Sequence, residues 1–265
     1  MYDFAYHKAG SVADAAAALK KAGGEGKLMA GGMTLIPTLK QRLARPSDVV
    51  DLAGAAELRG IKVDGSTVTI GAMARHAEVA ASAEVAKAIP ALAALAGGIG
   101  DGQVRNRGTI GGSIANNDPA ADYPAAALAL GATIKTNERS IAADDFFKGL
   151  FETALKDGEI VVSVSFPVAK KAAYMKFPNP ASRYAMVGVF VAQTAGGPRV
   201  AVTGAGPGVF RVKAMEEALA KSWSADAVAG IKVPASGMNT DIHASAEYRA
   251  HLVTVMAKRA VAAAG

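Results

Sequence analysis

Two glycine pairs constrain this chain more than any other feature: AGGMTLIP at 30–37 and TIGGS at 109–113. Glycine tolerates left-handed backbone and, lacking a side chain, lets main-chain N–H groups approach a neighbour closely. Each pair stands near a threonine or serine suited to a helix cap or an irregular turn. Singly, either pair reads as a tight turn. Together they read as two loops able to grip two phosphates, which favours a diphosphate ligand. The rival pattern is a dinucleotide-binding G-x-G-x-x-G turn. GAGPG at 204–208 and GGIGDG at 97–102 lack its placement between a strand and a helix, and Pro207 interrupts the first.

The rest of the chain mixes helix and strand signals. Ser11 with Asp14 three residues on resembles a capping box and opens a helix that ends near Gly23. KLMAGG reads as a short strand into a glycine turn, Thr34 caps a second helix LIPTLKQRLA that stops at Arg45-Pro46, and DVVDL is the next strand. IKVDGSTVTIGA is a hairpin about Asp64-Gly65. Two Ala-rich helical stretches reach Gly97, GGIGDGQVRNRGTIGG is too glycine-rich for a regular element, and YPAAALALG is helical. ATIKTN and EIVVSVSFP look like strands. After Pro167 come extended runs YAMVGVFVAQT and PRVAVTGAG, then helices around 213–221 and 245–262. These shifts divide the chain into segments 1–55, 56–168 and 169–265.

At 265 residues and 51% hydrophobic content the chain buries a substantial core. The formal charge of +6 comes from 29 Lys and Arg residues that never form a dense run, and only 6% of residues are aromatic. A nucleic-acid surface is therefore not expected. There is no cysteine, which excludes disulfides and iron–sulfur clusters held by this chain alone. His7, His76, His243 and His251 are too scattered for a metal site, and His76 reads as structural. Without a signal segment or a membrane-spanning run, a cytoplasmic protein is expected.

The stretch TIGGSIANNDPAADYPAA adds acids to a glycine loop, where a bare phosphate would be repelled. Asp118, before Pro119, reads as a cap, whereas Asp122 suits a ligand that carries hydroxyls as well as phosphates. Catalysis or cation binding by the two acids is the weaker reading. Arg105 and Arg107 either neutralise phosphate or are solvated loop charges. Tyr184 either lies against a flat ring or packs in the core, and Lys176 reads as exposed.

AGGMTLIP, RNRGTIGGSIANNDPAADYPAA, EIVVSVSFP and SAEYRAHL, in this order over almost the whole chain, resemble the FAD-binding medium subunit of molybdenum hydroxylases, the family of the carbon monoxide and xanthine dehydrogenase flavin subunits. The resemblance implies an α+β fold: a two-lobed FAD-binding domain of the vanillyl-alcohol-oxidase-like (PCMH) type, plus a C-terminal α+β lobe with a small antiparallel sheet. It implies one noncovalent FAD, with Leu28, Met29, Ala30, Gly31, Gly32, Met33, Thr34 and Leu35 and then Thr109, Ile110, Gly111, Gly112 and Ser113 around the pyrophosphate. Asn116 and Asp122 would meet the ribityl and nearby polar atoms, Val161 would touch the cofactor through its strand, and Lys176 and Tyr184 would lie by the ring. No residue of this chain is expected to be catalytic. Met33 stands where some relatives carry a hydroxylated or imidazole residue, and the iron–sulfur insertion of others is missing. The implied partners are a 2Fe-2S small subunit and a molybdopterin large subunit in a dimer of heterotrimers, with electrons leaving to an external acceptor. A stand-alone flavin oxidoreductase with its own small substrate, and a non-enzymatic ligand-storing protein, are the rival readings.

Overall fold

Three main sheets organise the chain, which the computed structural model describes over residues 1–265. The first is parallel, in the order Ala5–Lys8, Asp48–Asp51, Lys27–Met29. Parallel strands need crossovers, and helix Val12–Ala22 supplies one. Ser11 caps it as the sequence suggests, its hydroxyl accepting from the Asp14 N–H at 3.0 Å, and Gly23 leaves it with φ 67°. The second helix is shorter than expected. It spans only Leu35–Lys40; Thr34 makes no side-chain cap bond, and Arg42 at φ 59° turns the chain away well before Pro46.

The second sheet is antiparallel, in the order Ile61–Asp64, Thr67–Gly71, Val161–Pro167, Thr133–Thr136, Ser140–Ala142. The hairpin about Asp64-Gly65 forms, with Asp64 paired to Thr67. Between Gly71 and Thr133 the chain folds into short helices, and the glycine-rich stretch is more regular than its composition suggests. It contains helices Gly102–Arg107 and Ile110–Asn116. Asp101 caps the first by accepting from the Val104 N–H at 2.9 Å, and Thr109 caps the second by accepting from the Gly112 N–H at 3.1 Å. Those caps, with Ile110 and Ile114 wholly buried, outweigh a glycine penalty of about 1 kcal/mol per residue.

The third sheet is antiparallel, in the order Lys171–Pro178, Ala185–Thr194, Gly197–Thr203, Phe210–Arg211; its first strand has no clear sequence signal. Side chains alternate between its faces. Val187, Val189 and Val191 join Met256 and Val261 of helix Ala246–Ala263 in one core. Phe190, Ala192 and Ala201 point the other way, into a larger core that reaches back to Ala9. Helix Tyr123–Leu130 lies in that larger core with every residue buried. No helix is long and apolar enough to cross a membrane.

Candidate functional site

The two glycine segments meet. An ideal Cβ on Gly31 would fall 1.8 Å from the Arg107 carbonyl oxygen and 3.1 Å from the Gly108 Cα, so the first loop rests directly on the approach to the second. Across the same seam, a Cβ on Gly112 would lie 3.7 Å from that of Ala30. Gly111 is equally confined, against Ala72 at 2.5 Å. These glycines are therefore required by the packing of the chain on itself, and not only by a ligand's approach.

The loops differ in what they offer. Between strand Lys27–Met29 and helix Leu35–Lys40, the N–H groups of Ala30, Gly31, Gly32, Met33 and Thr34 donate to no acceptor in the protein. Gly32, at φ 74°, supplies the left-handed step that lets successive N–H groups converge. Five neighbouring free donors in a partly buried turn are the complement of an anion with many acceptor oxygens. In the second loop the donors are already taken. Ile110 N–H donates to the Ala74 carbonyl at 3.0 Å, Gly111 to Ala72 at 2.9 Å and Ser113 to Thr109 at 3.0 Å, while Gly112 bonds the Thr109 hydroxyl. Thr109, Ile110 and Gly111 are buried, so of the five residues expected to line a ligand only Gly112 and Ser113 reach the surface. Gly112 packs beside Ala30 of the first loop.

Two further expectations change. Asp122 is buried, and both its oxygens are engaged by protein groups: the Tyr174 hydroxyl donates to Oδ1, and Lys176 Nζ lies 3.1 Å from Oδ1 and 3.3 Å from Oδ2. Lys176, expected to be exposed, is instead enclosed, and it also donates to the Gly98 carbonyl at 2.8 Å. Burial raises the Asp122 carboxyl above the usual range, and Lys176 and Tyr174 pull it back. Burial and Asp122 together push the Tyr174 phenol well up. The acid inside the glycine loop thus ties the second sheet's helices to the third sheet, where the sequence suggested ligand hydroxyls. Tyr174 carries no sequence signal of this task, because its partner is 52 residues away.

The remaining residues are placed as follows. Asp118 Oδ1 accepts from the Ala120 N–H at 2.8 Å, closing a turn before helix Tyr123–Leu130. Asn116 ends its helix partly exposed, and Val161 is buried in the central strand of the second sheet. Tyr184 is 53% exposed and lines a cavity together with Asp118. Arg105 closes its own turn by donating to the carbonyls of Ile99 and Gly100. His76 is buried with its ring 5.4 Å from that of Tyr123 and its Nε2 against Gly108; burial first, then Arg105, lowers its pKa to about 4, so it is a neutral packing group. Asn117, unmarked by the sequence reading, adopts φ 46° and donates to the carbonyls of Gly149 and Glu152, bracing an adjacent hairpin.

Relatives with this architecture are known. The profile of the family described as "FAD binding domain in molybdopterin dehydrogenase" matches residues 2–169. The carbon monoxide dehydrogenase medium chain of Hydrogenophaga pseudoflava is 36% identical over 98% of this chain and 96% of its own length. The nicotine 6-hydroxylase medium subunit of Paenarthrobacter nicotinovorans is 34% identical over 91% of this chain and 90% of its own. A solved chain of the Hydrogenophaga pseudoflava carbon monoxide dehydrogenase superposes with a TM-score of 0.88 at 37% identity, covering 99% of this chain and 97% of that one. With a profile match over most of the chain and full-length relatives above 30% identity, this protein belongs to the family of FAD-binding domains of molybdopterin dehydrogenases.

Proposed function

We propose that the chain is the FAD-carrying medium subunit of a heteromeric molybdenum hydroxylase, receiving electrons from a 2Fe-2S small subunit fed by a molybdopterin large subunit, and delivering them to an external acceptor. Bound FAD would supply the redox chemistry, and the polypeptide position and electrostatics. The observation that carries the reading is the run of five unpartnered N–H groups from Ala30 to Thr34, a fit for the pyrophosphate. Leu28, Met29 and Leu35 frame that turn, and Gly112 with Ser113 closes its open side. Met33 contributes through its main chain, so a side chain unlike that of some relatives leaves the anion site whole. Asn116 would reach the hydroxylated middle of the cofactor, Val161 would approach through its backbone, and Tyr184 would offer its ring. Asp122 and Lys176 would act from behind, holding the third sheet in register with the loops.

In this reading segments 1–55 and 56–168 are the two lobes of a PCMH-type domain, 169–265 is the C-terminal domain, and the complex is a dimer of heterotrimers in the cytoplasm. The purified chain should carry one FAD, released by acid because no cysteine is present for a thioether link. Followed anaerobically at the flavin absorbance, it should stay oxidised with organic substrates until the partner subunits are added. Rapid bleaching by substrate with the chain alone would overturn the subunit reading, and a colourless chain that takes up no FAD would overturn the cofactor.

A further inference from the structure

We propose that His76 is a positioning residue for the flavin site: as a neutral imidazole wedged behind Gly108 it holds the second glycine segment against the Ala30–Thr34 turn, and its protonation parts the two and releases the cofactor. This role rests on the reading that the turn holds FAD. His76 reaches the turn through one residue, Gly108. The His76 N–H donates to the Gly108 carbonyl at 3.0 Å, and their neighbours Arg75 and Thr109 pair as an isolated β-bridge. A Cβ on Gly108 would lie 2.6 Å from His76 Nε2 and 3.1 Å from the Val104 carbonyl oxygen, so the imidazole already fills the space beside it. On the turn, a Cβ on Gly31 would fall 3.1 Å from the Gly108 Cα. Contacts this close leave no slack, and a shift of the ring passes through Gly108 to the turn.

The surroundings suit the ring only without charge. His76 is 5% exposed; its Nδ1 has no hydrogen-bond partner, and neither has the hydroxyl of Tyr123, whose ring lies 5.4 Å away. An imidazolium would be a buried charge with two N–H donors to satisfy. The neighbouring elements supply no free carboxylate. Helix Gly102–Arg107 carries Arg105 and Arg107, and helix Pro90–Gly97 has no titratable side chain. Glu78, on the helix of His76 itself, is paired with Arg75, and helix Ala83–Ala88 keeps Glu84 and Lys87 at the surface. Ahead of Tyr123, Asp122 is held by Tyr174 and Lys176. Burial first, and then Arg105, hold the imidazole neutral, with its pKa lowered from 6.5 to about 4. A parted seam hydrates the ring and restores the ordinary value, so the proton favours parting. Closure is complete above pH 6.5 and is lost as pH falls from there toward 4.

The test follows FAD retention by the purified chain, as the flavin-to-protein ratio after gel filtration, from neutral pH down through that window. Near-ultraviolet circular dichroism reports the fold in parallel. Wild type should lose FAD while still folded, and His76→Gln, polar but without a titrating proton, should hold it to a pH about one unit lower. A double-mutant cycle at neutral pH tests the wedge without titration. Gly108→Ala should weaken FAD binding about tenfold by driving its methyl group into the imidazole; in a His76→Ala background the same change should cost about threefold or less. Equal release profiles for wild type and folded His76→Gln would overturn the proposal, and so would additive effects in the cycle, which decides alone if His76→Gln does not fold. A chain that takes up no FAD at neutral pH overturns the cofactor reading and this role with it. FAD bound normally alongside either failure leaves that reading standing and removes only His76 from it.

Discussion

Gly31 shows how one residue carries two demands. Its N–H belongs to the free donor run, and its missing Cβ leaves room for the Arg107 carbonyl, 1.8 Å from where that atom would be. Gly31→Ala must therefore push the two loops apart, an overpacking cost of about 1–3 kcal/mol, and should lower the melting temperature by several degrees while emptying the flavin site. Gly102→Ala is the matched control. It stands at the start of helix Gly102–Arg107 with nothing within 4 Å of the added atom, and should stabilise by about 0.4–1 kcal/mol with flavin content intact. Melting curves and flavin-to-protein ratios on both variants decide the matter. A Gly31→Ala protein with wild-type flavin content would show that the contact between the loops is dispensable.

At the scale of the element, the connection between the second sheet's strands is held by one carboxylate. Glu159 accepts from Arg139 Nε at 2.9 Å and Nη2 at 3.0 Å, from the Thr136 hydroxyl at 2.7 Å and from the Lys156 N–H at 2.9 Å, and these bonds, Arg139 first, lower its pKa to about 2. A depressed folded-state pKa gives stability that is present above the ordinary carboxylate pKa and is lost as pH falls from about 4.5 toward 2. Arg139 is 39% exposed, and screening by water limits the effect to about 1 kcal/mol. Urea melts of wild type and Glu159→Gln should differ at pH 7 and converge as the pH drops through that window; a constant gap would exclude the carboxylate as the cause. Elements of this kind mark where the sequence stopped being legible. The capped helix at Ser11 and the hairpin at Asp64-Gly65 were readable because their signals are local. Helices in the glycine-rich stretch were not, since the burial of Ile110 and Ile114 that stabilises them is tertiary. The glycine pairs were legible as a pair of loops, but which loop keeps free N–H groups depends on Ala72 and Ala74, carbonyls supplied from a distant turn.

For the whole molecule, the family profile ends at residue 169, yet the packing does not divide there. Phe190, Ala192 and Ala201 of the third sheet share one core with helix Tyr123–Leu130, while the opposite face of that sheet has its own core. Polar bonds cross the same seam: the Thr203 hydroxyl donates to the carbonyls of Pro119 and Ala121, the Gly204 N–H donates to Pro119, and Asp122 holds Tyr174 and Lys176. Removing residues 169–265 would expose a helix that has no polar face and would leave Asp122 without either partner. A buried pair broken from one side costs about 3–5 kcal/mol, and the lost apolar contacts add to that, against a total stability of about 5–15 kcal/mol for a typical protein. A fragment of residues 1–168 is therefore expected to lack a cooperative melt, to bind a hydrophobic dye and to hold no flavin, although it contains every N–H of the Ala30–Thr34 turn. The full chain should unfold in one transition that takes both cores together, seen as coincident near-ultraviolet circular dichroism and flavin release. A monomeric 1–168 fragment that melts cooperatively with FAD bound would show that the third sheet is an accessory, and that the Asp122 bonds to Tyr174 and Lys176 have no part in shaping the site.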